Sequence, residues 1–178
     1  MADRIEAVIG IGANLPGPDG EGPLATCRRA AAALEGAVGR VVALSPWYRS
    51  APVPASDQPW FVNGVAVVET GLGAEQVLAA LHGIERSLGR RRRVRWEARA
   101  IDLDLLAFGD QVIAVPEGLQ VPHPRLAERA FVLYPLADVR PRWRHPVTGR
   151  TVGELLAALP EGQVACQIAG GGDGAPAG

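Results

Sequence analysis

With 178 residues, 48% of them hydrophobic, and a net charge of −1, the chain is long enough for one domain with a real core and is not, as a whole, a binder of polyanions. All 18 basic residues are arginine. That excludes a P-loop, which sets a lysine on the phosphates, and it excludes Schiff-base chemistry.

The elements follow in chain order. Ile5 to Gly12 reads as a strand ending at a glycine turn, and Asn14 to Gly22 is a loop by composition. Pro23 to Val38 has apolar residues at helical spacing, with proline suited to its first turn and Gly39 to its stop. Val41 to Tyr48 predicts one strand. Arg49 to Pro59 carries too many prolines for regular structure. Phe61 to Thr70 is a β-branched strand, and Gly73 to Leu88 an amphipathic helix with Val77, Leu78, Leu81, Ile84 and Leu88 on one side. A strand runs to Phe108, and Gly109-Asp110 predicts a tight turn into a hairpin through Ile113. A short helix is expected near Glu128 to Leu136, and a last one at Thr151 to Leu159, where Thr151 and Glu154 form a capping box. Residues 1–169 are expected to form a single domain, with Gly170 to Gly178 a flexible tail. The order of strands and helices fits an α+β, ferredoxin-like, mainly antiparallel sheet with helices packed on it.

Cys27 and Cys166 match no C-x-x-C pattern, so two idle thiols are expected rather than a disulfide framework. The first residues hold no apolar signal segment, and no stretch approaches the ~18 apolar residues of a membrane span. A cytoplasmic setting is the natural expectation.

The most informative run is Ile101-Asp102-Leu103-Asp104-Leu105. Side chains alternate along a strand, so Ile101, Leu103 and Leu105 face a core while Asp102 and Asp104 stand together on the other face. Two such carboxylates repel unless a cation lies between them. Just upstream, Arg90 to Arg95 form a dense positive loop. Carboxylates hold Mg²⁺, arginines hold phosphate oxygens, and together they suggest a nucleoside triphosphate site. On spacing alone, a solvated acidic strand face remains open.

Four stretches resemble the 6-hydroxymethyl-7,8-dihydropterin pyrophosphokinase family. They are Ile11-Gly12-Ala13-Asn14-Leu15; Tyr48-Arg49-Ser50-Ala51-Pro52 through Asp57 to Asn63; Leu88 to Arg92 through Trp96, Arg99, Asp102 and Asp104; and Val121 to Leu126 with Arg129 to Leu133. Ala13 stands where serine is usual, Ser50-Ala51 where Thr-Pro is common, and Glu97-Ala98 where Gly-Pro is. The resemblance implies a pyrophosphate transfer from ATP, the co-substrate, to the pterin's hydroxymethyl oxygen, with AMP leaving, in folate biosynthesis. It also implies two Mg²⁺ ions.

By this resemblance Asp102 and Asp104 are the metal ligands and, with Arg90 and Arg92, the catalytic set. Ser50, Val53, Phe61, Asn63, Trp96 and Phe131 are pterin-side candidates. A flat ring with an amide edge calls for aromatic faces and an Asn-type partner. Glu85, Arg99, His123 and Arg129 are ATP-side candidates, with Gln76 a weaker one. His82 and His145 read as surface residues. No side chain stands out as a general base, since positioning and charge neutralisation can suffice for a primary alcohol. The expected partners are the two small molecules, with no nucleic acid and no membrane, and a monomer is expected. Two rival readings are a nucleotidyltransferase, which would release pyrophosphate, and a non-catalytic RNA binder using the arginine loop.

Overall fold

The computed structural model describes residues 3–17, 20–89 and 100–168. Strand β1 (Ile5–Ala13) turns Ala7, Ile9, Ile11 and Ala13 to one face of the sheet, and Val8, Gly10 and Gly12 to the other. Helix α1 (Pro23–Ala37) starts on Pro23 and breaks at Gly36, whose φ of 85° only glycine adopts cheaply. Strands β2 (Arg40–Leu44), β3 (Tyr48–Ser50) and β4 (Phe61–Thr70) follow, then helix α2 (Ala74–Ser87) and strand β5 (Asp102–Phe108). The main sheet runs β5-β1-β4-β3, with β2 also on β4 and every pairing antiparallel. This is the expected ferredoxin-like α+β arrangement.

Helices α1 and α2 cover one face. Cys27, Ala30 and Leu34 meet Val77, Leu81 and Ile84 over Ile9, Leu103 and Leu105. Burial pushes the Cys27 thiol up to about 12, which leaves it inert, and Cys166 is exposed and unbridged. The other face is covered by α3 (Ala130–Val139) and α4 (Val152–Ala157). Their Leu133, Leu136, Val152 and Leu155 pack on Val8, Val65 and Leu106. Each fully buried leucine contributes about 1.5–3 kcal/mol by leaving water. Tyr48 joins the layers by donating its hydroxyl to Asp138, and burial with that carboxylate holds the phenol above its usual range. The capping box of Thr151 and Glu154 forms as expected.

Several expectations needed correction. The single strand read over Val41 to Tyr48 is two strands, because Pro46 has no N–H for the ladder. Ser45 bridges the break: its N–H donates to the Val65 carbonyl and its hydroxyl accepts from the Val65 N–H, both at 2.9 Å. The turn at Gly109 forms, with the Gln111 N–H on the Phe108 carbonyl, but residues 111–113 do not return along β5. The edge of β5 is met instead by the His123 N–H, 2.8 Å from the Leu106 carbonyl. The small hairpin is β6 (Ile113–Ala114) with β7 (Gln120–Val121). The helix expected from Glu128 is a 3₁₀ turn at Leu126–Glu128 followed by α3, which runs on to Val139 through Pro135. Strand β8 (Ala165–Gln167), pairing with β3, was not read from the sequence at all. The tail at residues 170–178 lies outside the described residues. Among the described residues no helix is long and apolar enough to cross a membrane.

Candidate active site

Helix α3 packs on the sheet over Val8, Val65 and Leu106; beyond it the same face opens into a pocket. Its floor follows from the register. Gly12 pairs with Asp102 on one side and Asn63 on the other, and Gly10 pairs with Asp104 and Val65. Both glycines face the pocket, so the acids and Asn63 look across a bare strand. Two strand spacings put their backbones about 10 Å apart. A Cβ on Gly12 would lie 2.9 Å from Asn63 Oδ1, so the floor has no room for a side chain there.

This first pocket, about 210 Å³, is lined by Phe61 and Asn63 of β4, Ala51 and Val53 of the proline-rich loop, Arg129 and Phe131 at the head of α3, and Asp102 and Asp104. Asn63 is buried and its Nδ2 donates to Ser50 Oγ at 2.5 Å, which fixes the amide's orientation. Ser50 thus acts through Asn63 and does not itself line the pocket. The Arg129 guanidinium carbon sits 5.4 Å from the Phe131 ring centre, a cation–π distance. Burial lowers the pKa of Arg129 while nearby Asp104 and Asp102 pull it up; the guanidinium stays charged beside them. Asn14 ties the end of β1 to the loop, its Nδ2 donating to Gln58 Oε1 at 3.0 Å and the Pro59 carbonyl at 3.3 Å.

A second, more polar cleft of about 360 Å³ lies along the outer edge of β5, lined by His82, Gln120 and His123 together with Asp102 and Asp104. His123 Nδ1 accepts the Arg125 N–H at 3.1 Å. The neutral ring therefore carries its proton on Nε2, as a donor. Burial, then Arg129, depress its pKa; Asp102 opposes and Arg125 adds to the depression.

The structure brings together seven of the predicted residues: Asp102, Asp104, Val53, Phe61, Asn63, Phe131 and Arg129, with His123 across the acid pair. Glu85 is buried under β5, where its Oε2 accepts the Leu103 N–H at 3.1 Å; it lines neither pocket and braces the strand that presents the acids. Gln76 accepts the Gly73 N–H at 2.7 Å and caps α2. Arg90, Arg92, Trp96 and Arg99 lie outside the described residues. Sequence reasoning missed His82, which it placed on the surface, although His82 lies one helical turn before Glu85 on α2 and one after Leu78, which also lines the cleft. It also passed over Gly10 and Gly12 as floor residues, although their alternation with Ile9 and Ile11 gave the signal.

Two half-buried carboxylates supply oxygen ligands only, the donor set a hard cation such as Mg²⁺ takes. Among the described residues no third acid, histidine or cysteine completes a protein cage.

Residues 8–141 match the family model of 7,8-dihydro-6-hydroxymethylpterin-pyrophosphokinase (HPPK). The chain is 52% identical over 121 residues to the 2-amino-4-hydroxy-6-hydroxymethyldihydropteridine pyrophosphokinase of Pseudomonas aeruginosa, covering 68% of this chain and 74% of that one. It is 40% identical over 153 residues to the enzyme of the same name from Methylorubrum extorquens, covering 86% and 92%. The fold also matches a crystal structure of Plasmodium falciparum HPPK-DHPS at a TM-score of 0.69 and 15% identity, covering 88% of this chain and 45% of that longer one. The family model spans most of the chain and both relatives carry the same enzyme name: the chain belongs to the 7,8-dihydro-6-hydroxymethylpterin-pyrophosphokinase family.

Proposed function

We propose that the chain transfers pyrophosphate from ATP to the hydroxymethyl oxygen of 6-hydroxymethyl-7,8-dihydropterin, giving AMP and the pterin diphosphate in folate biosynthesis. The new bond joins that oxygen to the β-phosphorus, and the bond from the β-phosphorus to the α–β bridging oxygen breaks. The observation that carries the reading is that, among the described residues, the two pockets share only Asp102 and Asp104. A reaction between occupants of both must take place there.

In this reading the pterin ring lies in the first pocket against Phe61 and Phe131, with Asn63, fixed by Ser50, reading its amide edge and Val53 at the rim. ATP enters the second cleft beside His123 and His82, its phosphates running toward Arg129. Glu85 contributes by holding the acidic strand. Arg90, Arg92 and Arg99 are assigned to the phosphates and Trp96 to the pterin on the family resemblance. Asp102 and Asp104 would hold two Mg²⁺ ions, which when bound supply charge neutralisation and in-line alignment of the triphosphate. Residues 1–169 act as one unit, as a monomer in the cytoplasm.

The test is one assay with ATP, Mg²⁺ and the hydroxymethyldihydropterin, with products separated and repeated in excess chelator. AMP and pterin diphosphate in equal amounts, abolished by the chelator, are expected. Release of pyrophosphate would favour nucleotidyl transfer, and no turnover would end the proposal.

A further inference from the structure

Gln163 lies between α4 and β8, outside the 8–141 stretch that matches the family. Its side-chain amide makes two bonds to a single turn. Nε2 donates to the Glu128 carbonyl at 2.6 Å, and Oε1 accepts the Ala130 N–H at 2.9 Å. Those two peptide groups flank Arg129. The Ala130 N–H belongs to the first turn of α3, where no intrahelical acceptor exists. Arg129, at the N-cap, supplies no side-chain cap. Gln163 therefore caps α3 from another part of the chain, and the Arg129 guanidinium is left to serve the pocket beside Asp104.

The next residue grips the opposite wall. The Val164 carbonyl accepts the Ala51 N–H at 3.1 Å, and Ala165 then pairs with Ser50, the residue that fixes Asn63. Two consecutive residues thus hold both sides of the first pocket, one through a side chain and one through the backbone.

We propose that Gln163 is a positioning residue for the transfer: its amide holds the Arg129–Phe131 turn in place against the wall anchored by Val164. The proposal rests on the pyrophosphokinase reading given above. It adds a residue that lines neither pocket and lies beyond the stretch the family model matches.

The test compares the full-length chain with Gln163→Met, which keeps the side chain's length but removes both polar atoms, and with Gln163→Ala. Both variants should keep far-UV dichroism and a Tm within a few degrees of wild type. Both should lose kcat/KM for the pterin by about tenfold, as misplaced binding groups do. ATP-analogue affinity measured without pterin should fall by less, about two- to threefold, since Arg129 is the one ATP-side residue in the clasped turn and His123 and His82 are held elsewhere. Amide exchange should quicken in the peptide spanning 128–133 and not in β1. Wild-type kcat/KM in Gln163→Met would overturn the proposal, as would equal losses for both substrates alongside a lowered Tm. If wild-type protein makes no AMP, the functional reading fails by itself. Exchange across 128–133 then decides the clasp, and unchanged exchange in Gln163→Met overturns it.

Discussion

Gly12→Ala tests the floor of the first pocket, where the proposal places the pterin. The added Cβ would sit 2.9 Å from Asn63 Oδ1, a distance real Cβ atoms do not show, so the amide must retreat by roughly half an ångström. Asn63 has little freedom to do so, because its Nδ2 is committed to Ser50 Oγ at 2.5 Å in a buried setting. Moving the amide strains or breaks that bond, and an unsatisfied buried polar group costs about 1–3 kcal/mol. If the cost falls on the edge-reading amide, pterin affinity drops about 5- to 150-fold. Overall stability should change much less. Alanine is intrinsically better than glycine in a strand by about 0.5–1 kcal/mol, which offsets part of the crowding. The comparison is Gly10→Ala, whose Cβ would meet the Leu106 side chain first, at 3.2 Å. Calorimetric titration of the pterin in the presence of an ATP analogue reads the effect directly. Gly12→Ala should weaken pterin binding by at least about fivefold with ATP-analogue binding unchanged, and Gly10→Ala should leave both near wild type. Pterin binding to Gly12→Ala within twofold of wild type would refute the placement of Asn63 at the pterin's edge.

Asp104→Asn should keep the fold, because the carboxylate stands half-buried on an edge strand, but lose about 10²–10³ in kcat; AMP formation at saturating substrates measures it, and full activity would remove the acid pair from the mechanism. Gly64→Ala should lower Tm, since its Cβ would meet the Trp47 ring at 2.6 Å; overpacking of this kind costs about 1–3 kcal/mol, or roughly 2–4 °C for each kcal/mol in a chain of this size, and an unchanged melting curve contradicts the packing. His145 gives a pH dependence. Burial lowers its pKa, and its Nδ1 accepts the Val147 and Thr148 N–H groups at 3.2 and 3.3 Å. The unfolded chain therefore takes up the proton first as pH falls below about 6.5, so this contribution is complete above that value and lost beneath it. His145→Asn, which keeps an acceptor without a titration, should flatten the fall in Tm between about pH 7 and 5, and an identical pH profile would refute the assignment.

The strand alternation that placed Asp102 and Asp104 opposite Leu103 and Leu105 holds in the structure because β5 buries one face under α2 and nothing competes with that pattern. Phe61 and Asn63 were legible for the same reason. What the sequence hid depends on partners far along the chain. Strand β8 has too little apolar content to announce itself and exists because β3 offers an open edge. The break at Pro46 works only because Ser45 reaches Val65, twenty residues on. Glu85 is an ATP-side candidate by the family resemblance, yet its buried carboxylate bonds the Leu103 N–H, a role that no local pattern encodes. The two bonds from Gln163 to the Arg129 turn span more than thirty residues and likewise leave no trace in local sequence.

The position of β5 at the edge of the sheet explains how two acids can serve two pockets. On an interior strand each side chain stands on one face of the sheet, with both flanks closed by neighbouring strands. On an edge strand the same side chains are reached from the face, where Gly10 and Gly12 clear the way to Asn63, and also from the flank, where His82, Gln120 and His123 gather. Edge strands are ordinarily a hazard because their free N–H and carbonyl groups recruit other strands. Here the His123 N–H takes the Leu106 carbonyl and the chain turns away at Gly109, so the edge stays open to small molecules beside Asp102 and Asp104 while contact with the chain itself closes part of its length. In the proposed reaction, two substrates that must not meet except at the phosphates then approach the same carboxylates from different directions.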